Sequence, residues 1–322
     1  MRFLGVFLVM CAAACSESYR GAWVDAGLEH AGQEVKAPAR FREAVLSWAA
    51  SVPAGGEVEC ELQVKVGDRW LPWQTMGRWN GREGGRSVKR EGAEGCSVDV
   101  DTLVLDKGLE AEAFRYRVTP RGGSRVRLVA VATWRRDDRA PLASERSAAW
   151  GKTIDVPKRS QMVEDASIRG DICSATSLSM VLEHYGVKRT TREVADGVYD
   201  HEAKIYGNWP LNTAYAAAAG MKAAYVARFR GLEDLEAEIA AGRPVILSHK
   251  WKEGELTGAP VTGSSGHLIV VVGFTDEGDV VVNDPAAHPD QGEDVRRVYP
   301  REELYHTWLE NAAGVAYVIR KE

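Results

Sequence analysis

The residue with the clearest chemical potential is Cys173, which has no second cysteine in the C-terminal half of the chain. It comes directly before residues 174–185, where apolar side chains recur at helical spacing until Gly186, a typical stop for a helix. The pattern predicts Cys173 in the first turn of an amphipathic helix. Unpaired N–H groups and the helix dipole there favour the thiolate, which attacks carbonyl carbons. The alternative is a cysteine packed beneath the helix start.

A general base for such a nucleophile is available at His267. It comes directly before the apolar run 268–274, which predicts a buried strand, and residues 276–279 predict a turn. The chain then returns through a second apolar strand that ends at Asp284. A hairpin of this kind brings a histidine and a carboxylate to the same end. Taken alone, His267 is more typical of a structural histidine at a strand end than of a catalytic base.

Strand parity decides which side chain can orient His267. If residues 277 and 278 form a two-residue turn, Asp284 lies opposite Val271, and its side chain shares a face with His267. Asn283 then points to the other face, so Asp284 is favoured as the orienting residue. Four residues of strand cover about 13 Å. A bulge, a strong twist or a displaced strand start is therefore required to bring the two side chains together.

A candidate oxyanion donor is Gln161, twelve residues before Cys173. A side-chain amide aimed at a developing oxyanion contributes about 3 kcal/mol to catalysis, although a glutamine in a loop carries no meaning alone. Trp209, His249 and Trp251 are candidates for lining a cleft, and structural roles are equally consistent with their positions.

Five segments occur in an order that resembles the C39-like peptidase domains of the papain fold. They are Val-Pro-Lys-Arg-Ser-Gln-Met at 156–162, Cys-Ser-Ala-Thr-Ser through Tyr-Gly at 173–186, Gly-Arg-Pro-Val-Ile at 242–246, Gly-His-Leu-Ile-Val-Val-Val-Gly-Phe at 266–274 and Val-Asn-Asp-Pro at 282–285. The resemblance covers about half of the chain. It implies Cys173 as nucleophile, His267 as general base, Asp284 as its orienting residue and Gln161 as oxyanion donor.

The resemblance implies an exported cysteine peptidase or amidase that cleaves peptide bonds without a cofactor or a metal ion. Ile172 departs from the family, which often has an aromatic residue or glycine before the cysteine. No transporter segment accompanies the domain, so we expect a free-standing protein. Two alternatives stay open: a transpeptidase that uses the same residues, and a papain-fold binding module without catalysis. A zinc site at Cys173, His267 and Asp284 is disfavoured because paired Cys/His spacing is missing.

The N-terminus predicts export. Residues 3–14 are apolar or small and too short to span a bilayer, which is typical of a signal peptide. Cys15 follows three alanines, and this resembles a bacterial lipoprotein signal in which Cys15 is lipidated. Ser16, rather than aspartate, follows and suggests attachment to the outer membrane. The alternatives are plain secretion to the periplasm or medium after cleavage at the Ala-x-Ala site, and an N-terminus that is not cleaved.

A chain of 322 residues is long enough for two domains. Short alternating strands with turns between them predict an all-β sandwich at 41–134, and mixed helices and strands predict an α+β papain-like domain at 156–322. Residues 1–15 form the signal, 16–40 a flexible lead-in and 135–155 a linker.

Two further features of the sequence concern disulfide formation and the class of partner. Cys60 and Cys96 both lie in the first half, where an exported protein favours a disulfide between them; two buried free thiols are the alternative. The net charge of −5 and the absence of a basic cluster argue against a nucleic-acid partner. The expected partner is therefore a peptide or protein substrate.

Overall fold

A computed structural model describes residues 21–88, 92–143 and 145–321 of the chain. The predicted signal peptide at 1–15, including Cys15, lies outside the described residues. Within those residues, no helix combines the length and the apolar character that crossing a bilayer requires.

The N-terminal domain consists of antiparallel strands joined by turns. They are β1 (Trp23–Ala26), β2 (Val35–Phe41), β3 (Glu43–Ser51), β4 (Glu57–Val66), β5 (Arg69–Trp70), β6 (Gln74–Asn80), β7 (Gly84–Arg86), β8 (Gly92–Ala93), β9 (Cys96–Asp99), β10 (Thr102–Leu105), β11 (Ala111–Arg121) and β12 (Arg125–Trp134). One sheet has the order β1-β12-β3-β10-β9-β8, and the other has β2-β11-β4-β6-β7 with β5 beside β4. Apolar side chains of both sheets form a common core, which confirms the predicted sandwich.

The predicted flexible lead-in at 16–40 is wrong for its described part, because β1 and β2 lie within it and pair with the sandwich. Buried Asp25 in β1 fixes this segment. Its carboxylate accepts a 2.5 Å hydrogen bond from the Tyr116 hydroxyl and 3.2 and 2.8 Å bonds from the backbone N–H groups of Glu29 and His30. Strand pairing and a buried carboxylate hold this polar segment in place, so it is ordered without an apolar run.

Cys60 and Cys96 are buried free thiols, so the predicted disulfide is not formed and the alternative arrangement is the one observed. Cys60 lies in β4 and Cys96 in β9, which belong to different sheets. Burial raises the pKa of both thiols, that of Cys96 to about 11 with a further contribution from the charge of Asp106. Both cysteines act as core residues.

The C-terminal domain is α+β, as predicted, and begins with a 3-10 turn (Gln161–Val163). Its helices are α1 (Cys173–His184), α2 (Thr191–Val198), α3 (Trp209–Ala218), α4 (Leu232–Ala240) and α5 (Arg301–Leu304); its strands are β13 (Ala223–Arg228), β14 (Val245–Trp251), β15 (Ser264–Phe274), β16 (Val280–Asn283), β17 (Arg296–Tyr299) and β18 (Val315–Arg320). The sheet order is β13-β18-β14-β15-β16-β17. A π-helix (Tyr305–Glu310) continues α5.

The predicted linker at 135–155 has neither helix nor strand in its described part, but its second half packs on the C-terminal domain. The Trp150 indole donates to the Glu236 carboxylate at 2.9 Å, and the Ile154 N–H donates to the Val272 carbonyl at 2.7 Å. These contacts tie the end of the segment to the sheet that carries His267. The segment therefore connects the two domains but does not act as a spacer between them.

The two domains share one hydrophobic core. Residues of β3 and β12, such as Val45 and Ala132, belong to the same buried cluster as Val226 of β13 and Leu247 of β14. The Ser47 hydroxyl also accepts a 3.0 Å hydrogen bond from the Val226 N–H. The position of the sandwich against the α+β domain is thus fixed by buried contacts.

Arg127 provides a test of this interface. It lies at a bulge of β12, and its guanidinium donates to the carbonyls of Ala217 and Met221 at the C-terminal end of α3, at 2.9 and 2.7 Å. We expect Arg127→Gln to lower the free energy of unfolding by about 2 kcal/mol, because charge-assisted bonds between the domains are lost. Urea unfolding measures this effect. Arg125→Gln, at an exposed position of the same strand, is the control and should change stability little; equal losses for both variants would contradict the interpretation.

Candidate active site

Cys173 is the first residue of α1, as its sequence context predicts. Ile172 precedes the helix without a side-chain cap, so the first N–H groups of α1 stay available for an anion at this end. The next residue, Ser174, anchors the helix start, since its hydroxyl lies 2.8 Å from Asn212 Oδ1 and 2.9 Å from the Tyr317 hydroxyl. Cys173 is partly buried and lines a cleft.

A bulge in β15 brings Asp284 within reach of His267. Val271 pairs with Val282 and Gly273 with Val281, so Val272 is an extra residue in β15. Val270 then pairs with Asn283, and Asp284 follows two places closer to His267 than the predicted two-residue turn would put it. The bulge contributes one place, and the connection, which spans residues 275–279, contributes the other. The predicted register was wrong, the predicted parity is confirmed, and of the three predicted alternatives the bulge is the one observed.

His267 and Asp284 form a buried hydrogen-bonded pair. Nε2 of His267 lies 2.8 Å from Oδ1 of Asp284, which also accepts a 2.8 Å bond from the Ala286 N–H. The Tyr299 hydroxyl donates to the second oxygen, Oδ2, at 2.5 Å. His267 is 5% exposed, and Asp284 and Tyr299 are fully buried. Every oxygen of the carboxylate is thus engaged.

The pair is charged in the folded state. Burial disfavours the imidazolium, but the Asp284 carboxylate and the sulfur of Cys173 outweigh this penalty and raise the pKa of His267 to about 10. Burial likewise opposes the carboxylate, yet the charge of His267 and the hydrogen bonds from His267, Tyr299 and Ala286 lower the pKa of Asp284 to about 2. At neutral pH the arrangement is therefore imidazolium beside carboxylate.

The orientation of the imidazole suits catalysis by a thiol. Because Nε2 donates to Asp284, Nδ1 is the nitrogen left for the sulfur of Cys173, which is close enough to act on the pKa of His267 as a hydrogen-bond partner. A cysteine next to a histidine that is itself bound to a carboxylate can form a thiolate–imidazolium pair with that histidine. The structure thus brings together the three residues that the sequence predicts.

Gln161 lies beside both segments that carry these residues. Its backbone N–H donates to the Pro285 carbonyl at 2.8 Å, and its side-chain Nε2 donates to the Arg169 carbonyl at 2.7 Å. One hydrogen of the amide nitrogen stays available for another acceptor. Its role as oxyanion donor stays a prediction.

Aromatic side chains cover the imidazole. The Trp251 ring meets His267 edge-on at 5.8 Å, and His249 stacks on Trp251 at 4.5 Å. His249 is fully buried, and both of its ring nitrogens are without a hydrogen-bond partner among the described residues. Burial and the charge of His267 lower the pKa of His249 to about 3, so its ring is neutral. Trp251 and His249 keep water away from the charged pair.

Both domains contribute to the cleft that contains Cys173, which has a volume of about 410 Å³. From the C-terminal domain come Trp209, His249, Lys250 and the segment 311–313, from the sandwich come Glu43 and Trp134, and Arg136 comes from the segment that follows β12. Sequence reasoning missed Glu43, Trp134 and Arg136, and it missed Tyr299. No local pattern marks them, because each reaches the site only through tertiary packing.

The charged pair makes stability depend on pH. Because the pKa of His267 is raised from 6.5 to about 10, the pair contributes fully below about pH 6.5, and this contribution is lost as the pH rises through 10. We expect Asp284→Asn to cost about 3 kcal/mol near pH 6 and much less at pH 10. Urea unfolding over pH 6 to 10 measures this. Asp68→Asn, in an exposed turn, serves as the control, and the same pH profile in both variants would argue against the assignment.

An all-β domain followed by an α+β domain, with a cysteine at a helix start beside a histidine on a strand, defines a two-domain protein of papain-like peptidase fold. The family model for the Peptidase C39-like family matches residues 153–315, about half of the chain. A second model, described as the Peptidase C39 N-terminal domain, matches residues 21–133. The chain belongs to the Peptidase C39-like family.

Solved structures with similarity to the chain carry related descriptions. One is a provisionally assigned C39-like peptidase from Bacillus anthracis, with 18% identity and a TM-score of 0.39 over 53% of this chain and 98% of that one. Another is a double-glycine motif protease from an AMS/PCAT transporter in complex with its leader peptide, with 22% identity and a TM-score of 0.33 over 52% and 92%. The comparison with curated proteins gives no match. The family assignment rests on the family models.

Proposed function

We propose that the chain is a cysteine peptidase that hydrolyses peptide bonds through Cys173, His267 and Asp284. The observation that supports this most strongly is the buried chain of hydrogen bonds from Tyr299 through Asp284 to His267, which ends beside a cysteine in an open cleft. Burying a charged pair costs free energy that apolar residues of similar volume would not, so a binding module without catalysis gains no stability from this pair.

The proposed reaction has two steps, formation and hydrolysis of a thioester. The Cys173 thiolate attacks the carbonyl carbon, and the C–S bond forms as the carbonyl π electrons move to the oxygen. The oxyanion is held by Gln161 and the Cys173 N–H. His267 gives its proton to the leaving amine as the C–N bond breaks and a thioester remains. Water, deprotonated by the now neutral His267, attacks the thioester; the acid leaves and Cys173 returns to the thiolate. Asp284 stabilises the imidazolium in both steps.

Alkylation of Cys173 tests this proposal directly. Iodoacetamide should label Cys173 rapidly at neutral pH, whereas Cys60 and Cys96 should stay unmodified because they are buried and their pKa values are raised. His267→Ala should slow the labelling by at least about 10-fold, since the thiolate loses its counter-ion. Peptide mapping by mass spectrometry measures the rate at each cysteine.

The control for this experiment is His201→Ala, at an exposed position away from the cleft, which should leave the rate unchanged. Cys173→Ala should abolish peptide hydrolysis by the purified chain. Slow labelling of Cys173, or peptide hydrolysis that persists in Cys173→Ala, would contradict the proposal. The same assay with an added amine separates hydrolysis from transpeptidation, because an acceptor amine would appear in the product.

Gln161 gives an independent test of the oxyanion site. Gln161→Ala should lower kcat about 100-fold with little change in KM, because the lost hydrogen bond acts mainly in the transition state. Steady-state kinetics on a cleavable peptide measure this split. Gln291→Ala, at an exposed position, is the matched control. An increase in KM alone for Gln161→Ala would assign the residue to substrate binding instead.

We also propose that the protein is exported and held at the cell envelope by a lipid on Cys15. The apolar run 3–14 and the small residues before Cys15 support this location. Labelling with a radioactive fatty acid that persists in Cys15→Ser would exclude it.

A further inference from the structure

The N-terminal sandwich supplies one wall of the cleft that contains Cys173. Trp134 and Arg136 come from the end of β12 and the residues after it, and Glu43 begins β3. Lys250 of β14 lines the same cleft, close enough to Arg136 and Glu43 for their charges to act on it. Because buried contacts fix the sandwich against the α+β domain, these side chains have a defined position relative to Cys173.

Lys250 is a cation of this cleft without a counter-ion of its own. Nε of Arg136 donates to Glu43 at 3.0 Å, and Glu310 is engaged by Arg139 at 3.1 Å, so these two lining carboxylates each have a cation. A third lining carboxylate, Asp171, comes from the α+β domain. The partly buried Lys250 ammonium forms no ion pair with any described residue. Burial and the positive charge of Arg136 lower the pKa of Lys250, with Glu43 offsetting only part of the effect.

Hydrogen-bond donors at this wall are also unused. The only side-chain bond of Arg136 to a described residue uses Nε, which leaves its outer nitrogens for a ligand. Trp134 is 3% exposed, and its indole N–H has no acceptor within the described parts of the chain. A buried N–H without an acceptor is costly, and a ligand oxygen would remove that cost. Cations and N–H donors together select a carboxylate.

Lys250 stands at a distance from the reacting bond. His249 and Trp251 both contact the ring of His267, so the intervening Lys250 projects from the opposite face of β14. A ligand that reaches both Cys173 and Lys250 must pass over the end of the sheet. An extended peptide meets this requirement, and its carboxylate then belongs to a residue several places from the scissile bond.

We propose that the cleft selects extended peptides with an acidic side chain, whose carboxylate binds between Lys250 of the α+β domain and Arg136, which follows the last strand of the sandwich, with Trp134 as a further donor. This inference rests on the proposed peptidase function and names its substrate class. It also gives the N-terminal domain a role in recognition, since Trp134 belongs to it and β12 positions Arg136.

Matched peptides test the preference. A set of peptides carries glutamate or its neutral isostere glutamine at each position in turn, and kcat/KM is measured for each pair. At one position remote from the scissile bond, glutamate should be favoured by about 10-fold or more, because hydrogen bonds to charged groups are strong. The preference should shrink at high salt, since the wall is open to solvent.

Substitutions assign the preference to the wall. Lys250→Met and Arg136→Gln should each bring the glutamate-to-glutamine ratio towards one, and Lys250→Glu should favour lysine at the same position. Lys222→Met and Arg125→Gln, both exposed and remote from the cleft, should leave the ratio unchanged. A loss of folding cannot produce a new preference for lysine, so the charge reversal separates recognition from stability.

Binding to Cys173→Ala separates this inference from the peptidase proposal. If no peptide is cleaved but Cys173→Ala binds the glutamate peptide more tightly in fluorescence anisotropy, the carboxylate site stands and the peptidase proposal fails. If peptides are cleaved with equal rates for glutamate and glutamine, or if Lys250→Met and Arg136→Gln keep the preference, the carboxylate site is overturned and the peptidase proposal stands. Absence of peptide binding in every variant also overturns the site.

Discussion

The ion pair between His267 and Asp284 sets the main constraint on the C-terminal domain, because two charges removed from water must satisfy each other and their remaining hydrogen bonds. Asp284 meets this condition through His267, Tyr299 and the Ala286 N–H. Several otherwise unrelated features serve the same pair: the bulge at Val272, the placement of β17 beside β16, and the aromatic cover over the imidazole. Each would be unnecessary if the pair were exposed.

The cleft beside this ion pair is built from two parts of the chain, which hold their side chains in different ways. Cys173, His267 and Asp284 are held by regular elements of one domain, where backbone hydrogen bonds fix the reacting atoms. The far wall comes from a different domain and from side chains that follow the end of a strand. The residues proposed for catalysis and those proposed for recognition therefore lie in separate parts of the chain.

The sequence predicts features that depend on local periodicity. The alternation in residues 57–66, the helical spacing after Cys173 and the parity of Asp284 all lead to the observed elements. Features that depend on packing between distant segments cannot be predicted in this way. No residue near Val272 marks the bulge, and Tyr299 reaches Asp284 only because β17 pairs with β16.

The core shared by the sandwich and the α+β domain has a consequence for evolution of the chain. The family models divide it near residues 133 and 153, yet buried side chains of β3 and β12 continue into β13 and β14 across that division. A gene fusion that exchanged only one half would leave a broad apolar face without its complement. The two halves must therefore be inherited together, and substitutions at their contact must change in concert.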